Sequence, residues 1–226
     1  MASAEERREE LVALFNEVKG CTRCPLHETR TKAVFGAGDA NADLMFVGEA
    51  PGAEEDRQGL PFAGRAGRLL NQMLEEIGLS REQVFIANVL KSRPPGNRDP
   101  QPQEIETCKP YLFEQVRLIE PTVICTLGNF ATKLLSANPA GITKVRGAPQ
   151  VHELGGRTVF LFPIFHPAAA LRTPAVKETL REDFAKLPGL LAMGPPVAAE
   201  EPESEPSVEE VDVVPEVPAD QLDFFG

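Results

Sequence analysis

Three short runs, "DLMFVG", "VFIANVL" and "TVICTLG", are apolar at nearly every position, and longer stretches with apolar residues three or four apart lie between them. Strands covered by helices on both faces read as such continuous runs, whereas half-exposed strands alternate. The pattern predicts helices at 4–19, 63–78, 101–118, 128–136 and 174–186, and strands at 43–48, 84–90, 122–127, 149–153 and 157–164. This alternation predicts an α/β fold with a small, mainly parallel sheet between helices. Ligands of such sheets sit beyond the carboxyl ends of the strands. Polar clusters follow three of the predicted strand ends, at 48–62, 88–98 and 166–172.

The first cluster, "GEAPGAEEDRQGLPFAGRAG", places glycines between a strand and a helix. Glycine-rich loops in that position commonly cradle phosphate on backbone N–H groups. Here Glu49, Glu54, Glu55 and Asp56 repel a free phosphate, and the lysine-ending signature of nucleotide-binding loops is missing. A nucleotide-binding protein is therefore the weaker reading of this loop.

Charge changes the picture only once it is located. The chain has 34 acids and 23 bases, a net charge of −11. Ten of the acids and none of the bases fall between Pro196 and Gly226, so the remainder is nearly neutral and can meet a nucleic acid. The acidic, proline-rich end predicts a disordered tail. The expected organisation is a globular domain over 1–191, an acidic linker over 192–220 and a terminal peptide over 221–226. No run reaches the roughly 20 apolar residues of a membrane span, and "MASAEERREELVALFNEVKG" is an amphipathic helix pattern rather than a secretion signal. The expectation is a soluble, cytoplasmic monomer.

Four cysteines in such a chain point to metal or redox chemistry rather than a disulfide framework. Cys21 and Cys24 form "CTRCPL", while Cys108 falls in a predicted helix and Cys125 in a predicted strand. The spacing leaves open a redox pair plus two core thiols, a structural zinc site and a [4Fe–4S] cluster. An iron–sulfur redox or regulatory module is accordingly an alternative function.

Taken together, "GEAPGAEEDRQGLPFAGRAG", "NVLKSRPPGNRDP" and "HPAAALR", with cysteines at this spacing, resemble the iron–sulfur uracil-DNA glycosylases of family 4. The resemblance covers residues 10–190, and the Glu of "GEAPG" favours this group over family 5. It implies a three-layer uracil-DNA-glycosylase-like fold, a [4Fe–4S] cluster on Cys21, Cys24, Cys108 and Cys125, and release of uracil from DNA without a lyase step. The cluster is expected to be structural. Gly48, Glu55, Phe62, Asn88 and His166 are then the expected uracil-binding residues. Phe62 stacks on the base unless it is a plain core residue. Asn88 offers a donor and an acceptor to the uracil edge. Glu55 lies near C5, where it excludes a methyl group, unless it is a solvated acid. His166 faces the charge that gathers on uracil O2 as the bond breaks. Glu49 and Asn97 are rivals for holding the attacking water, and the sequence does not rank them.

Contact with DNA needs cations and a wedge. Arg65, Lys91, Arg93, Arg98 and Arg172, with Leu171, are the expected DNA-binding residues, and Arg68 lies beside Arg65. The chain finishes in "QLDFF", Gln221 to Phe225, whose Leu222, Phe224 and Phe225 have no local core to join. Apolar anchors at the tip of a disordered segment mark a docking peptide. This one resembles the pentapeptide with which bacterial repair proteins bind the sliding clamp, so a clamp is the expected partner of Gln221, Leu222, Phe224 and Phe225.

Overall fold

The computed structural model describes residues 3–197. The expected linker and the QLDFF peptide, with its anchors Gln221, Leu222, Phe224 and Phe225, lie outside the described residues, apart from the start of the linker at 192–197. Six strands form one sheet: β1 (Ala37–Gly38), β2 (Leu44–Gly48), β3 (Phe85–Asn88), β4 (Val123–Leu127), β5 (Gln150–Leu154) and β6 (Arg157–Ile164). Their order is β1-β3-β2-β4-β6-β5. The four central strands are parallel, and the edge strands β1 and β5 are antiparallel to their neighbours.

The apolar runs fold as strands because both of their faces are covered. On one face, Met45, Val47, Phe85, Ala87, Ile124, Val159 and Leu161 pack with Leu11, Leu14 and Val18 of α1 (Ala4–Gly20) and with Leu112 and Val116 of α5 (Pro102–Ile119). On the other, Leu44, Phe46, Ile86, Val123, Cys125, Phe160 and Phe162 pack with helices α4 (Arg65–Glu76), α9 (Pro174–Phe184) and α10 (Leu187–Ala192). Phe46 stacks on Phe184 with ring centroids 5.7 Å apart. Each such fully buried aromatic or aliphatic side chain contributes about 1.5–3 kcal/mol, which locks the three layers together.

Local signals set the helix ends. Ser3 accepts from the Glu6 N–H at 3.2 Å while the Glu6 carboxylate accepts from the Ser3 N–H at 2.6 Å, a reciprocal cap that starts α1. Pro102 opens α5, where its missing N–H costs nothing. Shorter helices complete the chain: α2 (Leu26–Thr29), α3 (Ala53–Gln58), α6 (Asn129–Ser136), α7 (Ile142–Val145) and α8 (Pro167–Ala170).

The topology selects the site. From β2 the chain crosses to β3 on one side and then returns past β2 to β4 on the other. Loops leaving β2 and β4 diverge at that reversal, and a crevice opens beyond the carboxyl end of β2. Gly48 is the last residue of that strand.

Candidate active site

A cavity of about 370 Å³ fills this crevice, lined by Glu49, Ala50, Pro51, Gly52, Glu55, Phe62, Ala66, Asn88, Pro94, Asn97, Arg98 and His166. All three polar clusters of the sequence contribute to it. Its floor depends on Gly48. A Cβ there would stand 2.4 Å from Asn88 Oδ1 and 2.9 Å from Phe62 Cζ, so only glycine lets that carboxamide and that ring converge. Asn88 is held from behind, where its main-chain carbonyl accepts from Lys91 Nζ at 2.7 Å.

His166 caps α8, and its Nδ1 accepts from the Ala168 N–H at 3.1 Å. That bond assigns the tautomer: Nε2 carries the proton and Nδ1 the lone pair. Burial pulls the imidazole down from its ordinary value to about 4, with the Glu55 carboxylate opposing the shift. The ring is thus neutral at physiological pH and keeps an N–H donor. It stacks on Phe62 with centroids 5.6 Å apart and planes at 29°.

Phe62 is both a buried residue and a wall of the cavity. Its φ of +48° is left-handed, rare for a bulky residue and costing on the order of 1 kcal/mol or more. Glu55 is tied into the same turn. One carboxylate oxygen accepts from the Ala63 and Gly64 N–H groups at 3.0 and 3.1 Å, and the other from Gly52 N at 3.1 Å. The side chain thus lines the cavity while its oxygens close the loop, which is not the setting of a free solvated acid.

Glu49 and Asn97 face the cavity with different chemistry. Partial burial and the neighbouring Asp99 push the Glu49 carboxyl up from its usual value. Asn97, exposed and left-handed at φ +55°, accepts from Arg93 Nε through its amide oxygen at 2.7 Å. An attacking water must give up a proton toward an acceptor. The carboxylate is free to accept it, while the amide oxygen is already engaged.

A second groove of about 500 Å³ adjoins the cavity across α4 and α8, lined by Arg65, Arg68, Leu69, Gln72, Ala170, Leu171, Arg172, Pro174 and Lys177. Leu171 stands exposed on it. Three of the expected DNA contacts, Arg65, Leu171 and Arg172, therefore gather on one surface, which also carries Arg68 and Lys177.

A family model described as the uracil DNA glycosylase superfamily matches residues 35–187, a span that contains the cavity and the groove. The chain is 47% identical over 192 residues to the type-4 uracil-DNA glycosylase of Sulfurisphaera tokodaii, covering 83% of this chain and 84% of that one. Identity to the type-4 enzyme of Archaeoglobus fulgidus is 45% over 183 residues, covering 79% of this chain and 92% of the relative. The corresponding figures for the Thermotoga maritima enzyme are 46%, 79% and 94%. The chain belongs to the type-4 uracil-DNA glycosylase family.

In this type-4 chain one expected DNA contact is buried and a second is paired within the chain. Lys91 is only 2% exposed and cannot touch a DNA backbone. Besides Asn88, its ammonium donates to Gln115 Oε1 at 2.6 Å, and Gln115 in turn donates to the Phe35 carbonyl at 2.9 Å. Burial lowers the lysine to about 7. Arg98 reaches the cavity edge, but its guanidinium is held in a two-pronged pair with Glu104 at 2.6 and 3.0 Å. Arg93 gives its Nε to the neutral Asn97 amide and keeps its charge.

The cysteines divide between the two faces of the sheet. Cys24 and Cys108 lie in the α1–α5 core with Cys21 packed against it; burial pushes the Cys24 and Cys108 thiols up, Cys21 adds to both shifts and Cys24 to that of Cys108. Ser92, buried beside Lys91, accepts from Arg30 Nη1 at 3.0 Å on the same side. Cys125 is different. It sits in register between Phe46 and Phe162 and belongs to the opposite core. Alternation along β4 makes this unavoidable, because Ile124 faces the α1–α5 side. A cluster held by all four thiols therefore does not fit this chain, and among the described residues no group of three or more His, Cys, Asp and Glu is arranged to hold a metal ion. The ligand assignment of Cys125 is withdrawn.

Other residues around the cavity were not singled out individually by the sequence. Ala66 and Pro94 are cavity wall, and Arg81, from a 3₁₀ turn at Arg81–Gln83, bonds the main chain of the Phe62 turn. Long-range partners of this kind have no spacing to read. Among the described residues no helix is long and apolar enough to cross a membrane.

Proposed function

We propose that this chain hydrolyses the N-glycosidic bond of uracil in DNA and so begins base excision repair. The observation that carries the reading is a neutral His166 with its N–H donor at the wall of an open cavity that also holds the Phe62 ring and the Asn88 carboxamide, groups suited to a flipped base. Extruding a base costs a few kcal/mol of unstacking, and the cavity recovers part of it by stacking the base on Phe62. Asn88 supplies the donor and acceptor pair that uracil matches and cytosine does not. As the bond to the sugar breaks, electrons move onto the uracil ring and O2 gathers charge. A donor already aimed there stabilises the transition state more than the ground state. Glu49 is the better of the two candidates for the water, since it accepts a proton and offsets the cationic sugar. Asn97 then shapes the rim.

The groove of Arg65, Arg68, Arg172 and Lys177 is the proposed phosphate track, with Leu171 as the wedge. Cys21, Cys24 and Cys108 are the thiols that would hold an iron–sulfur group, without Cys125. A globular domain ending near residue 191, an acidic linker and a clamp-binding QLDFF remain part of the proposal. The test is uracil release from a uracil-containing oligonucleotide under single turnover, with wild type, Asn88→Ala and His166→Ala. Release by the wild type with a loss of roughly 10²- to 10³-fold in His166→Ala is expected. A wild type that releases no uracil would sink the reading.

A further inference from the structure

The side chain that stacks on the base stands in a backbone conformation that it would not choose. Phe62 has φ +48°, and its carbonyl is driven against the start of α4, where a Cβ on Gly67 would lie 1.6 Å from the Phe62 oxygen. Something must hold the turn there. Arg81, nineteen residues on, does so from behind the cavity. Its Nη1 donates to the Phe62 carbonyl at 3.3 Å and to Asn71 Oδ1 at 3.3 Å, and its Nη2 donates to the Pro61 carbonyl. On the following residues, Ala63 and Gly64 give their N–H groups to Glu55. The turn is thus clasped on its carbonyls by a cation and on its amides by an anion. The two clasps differ in position. Glu55 also lines the cavity, whereas Arg81 is absent from the cavity wall and can reach the base only through Phe62.

We propose that Arg81 is a positioning residue for base recognition: by bonding the Pro61 and Phe62 carbonyls it fixes the left-handed turn that presents the Phe62 ring to the flipped base and to His166. The inference rests on reading this cavity as the uracil site. Releasing the carbonyls lets Phe62 relax toward the negative φ that it prefers, which turns the ring off the stacking plane. A ring turned away costs binding of the base, so both free uracil and substrate are affected.

The experiment is a double-mutant cycle between Arg81→Ala and Phe62→Leu, read in single-turnover rate, KM and inhibition by free uracil, with thermal unfolding recorded for each protein. Alone, Arg81→Ala is expected to lower kcat/KM by roughly 10- to 100-fold and to weaken uracil inhibition by a similar factor, the scale of one lost base–aromatic stack. With Phe62→Leu already present, the same change should cost less than about threefold, since the pair acts as one unit. Equal losses in both backgrounds would overturn the proposal, because Arg81 would then act on fold or DNA independently of the ring. Unchanged kinetics and uracil inhibition in Arg81→Ala would overturn it as well. If Arg81→Ala fails to fold, Arg81→Lys decides, since lysine keeps the charge but reaches only one of the carbonyls. A loss confined to the Phe62 background supports the proposal, and a loss of the same size in both backgrounds, or in neither, removes it. A wild type that releases no uracil fails the functional reading first and takes this inference with it, so the two failures are told apart.

Discussion

An ordinary histidine at position 166 would set the acid side of the reaction, and the profile expected here differs from that. An imidazole titrating at 6.5 is about nine-tenths charged at pH 5.5, so a step requiring the neutral ring would lose about tenfold between pH 8 and pH 5.5. With the value of about 4 that burial produces, only about 3% of the ring is charged at pH 5.5, and the step is unaffected. Glu49 complicates the measurement, because burial raises its carboxyl and it takes up a proton on the acid side too. Single-turnover cleavage should therefore be followed in the Glu49→Gln variant, whose slow rate is expected to stay flat from pH 8 to pH 5.5. The wild type should fall with acid on account of Glu49. Imidazole NMR checks the assignment directly, since the chain has three histidines and the His166→Gln variant identifies the resonance. Its midpoint is expected near 4. The sign for stability follows from the same shift: the unfolded chain takes up this proton first, so stability is full above about pH 6.5 and declines as the pH falls toward 4. The ceiling on that loss is about 3 kcal/mol, reduced by whatever water reaches the ring. A resonance assigned to His166 that titrates near 6.5, or a tenfold acid loss in Glu49→Gln with that midpoint, would refute the reasoning.

The thiols, the groove and the tail each give a further expectation. Protein purified without oxygen should keep its iron and sulfide in Cys125→Ala and lose them in Cys108→Ala; equal loss in both would return Cys125 to the ligand set. For the groove, Arg68→Ala with Lys177→Ala should flatten the slope of log affinity against log salt by about two, as counterion release for two phosphates requires. An unchanged slope would mean that DNA tracks elsewhere. Titrating a bacterial sliding clamp with the peptide of residues 215–226 should give micromolar binding that Gln221→Ala with Leu222→Ala removes, and binding that survives that change would end the clamp proposal.

Much of the fold was legible because it is written in burial. The runs at 43–48, 84–90 and 122–127 became β2, β3 and β4 with ends shifted by a residue or two, and the amphipathic stretches became α1, α4, α5, α6 and α9. The elements the pattern missed are short. The two residues of β1 and the single turns of α2, α7 and α8 are too brief to show a period, and α3 is hidden because its AEEDRQ reads as loop polarity. The antiparallel edge of the sheet was hidden for another reason. A hairpin through Gly155 and Gly156 joins β5 to β6, and direction follows from that turn rather than from the strands themselves.

Side-chain roles were legible only where the backbone already dictates direction. Of the residues at the carboxyl ends of parallel strands, Glu49 and Asn88 line the crevice, and Gly48 lies against the Asn88 carboxamide and the Phe62 ring. Three residues beyond a strand end that constraint is gone, and Lys91 turns back under Asn88 instead of out to DNA. By charge alone a lysine reads as a phosphate contact, while its position beneath the cavity makes it a buried donor that fixes the Asn88 carbonyl. Cys125 fails for the opposite reason, because strand periodicity did fix its direction. With Val123 and Leu127 packed toward α4 and α9, the thiol two residues from each must share their face, and Cys108 on α5 lies beneath the other. Spacing counts residues along the chain, but a sheet one residue thick separates odd positions from even ones. The thiols that can cooperate are therefore those on the α1–α5 side, where Lys91 also reaches from Asn88 to the neighbourhood of Cys108. Through the main-chain carbonyl of Asn88, Lys91 joins the floor of the cavity to the cysteines of the α1–α5 side, whereas the Phe62 wall of the cavity belongs to the opposite core, as Cys125 does.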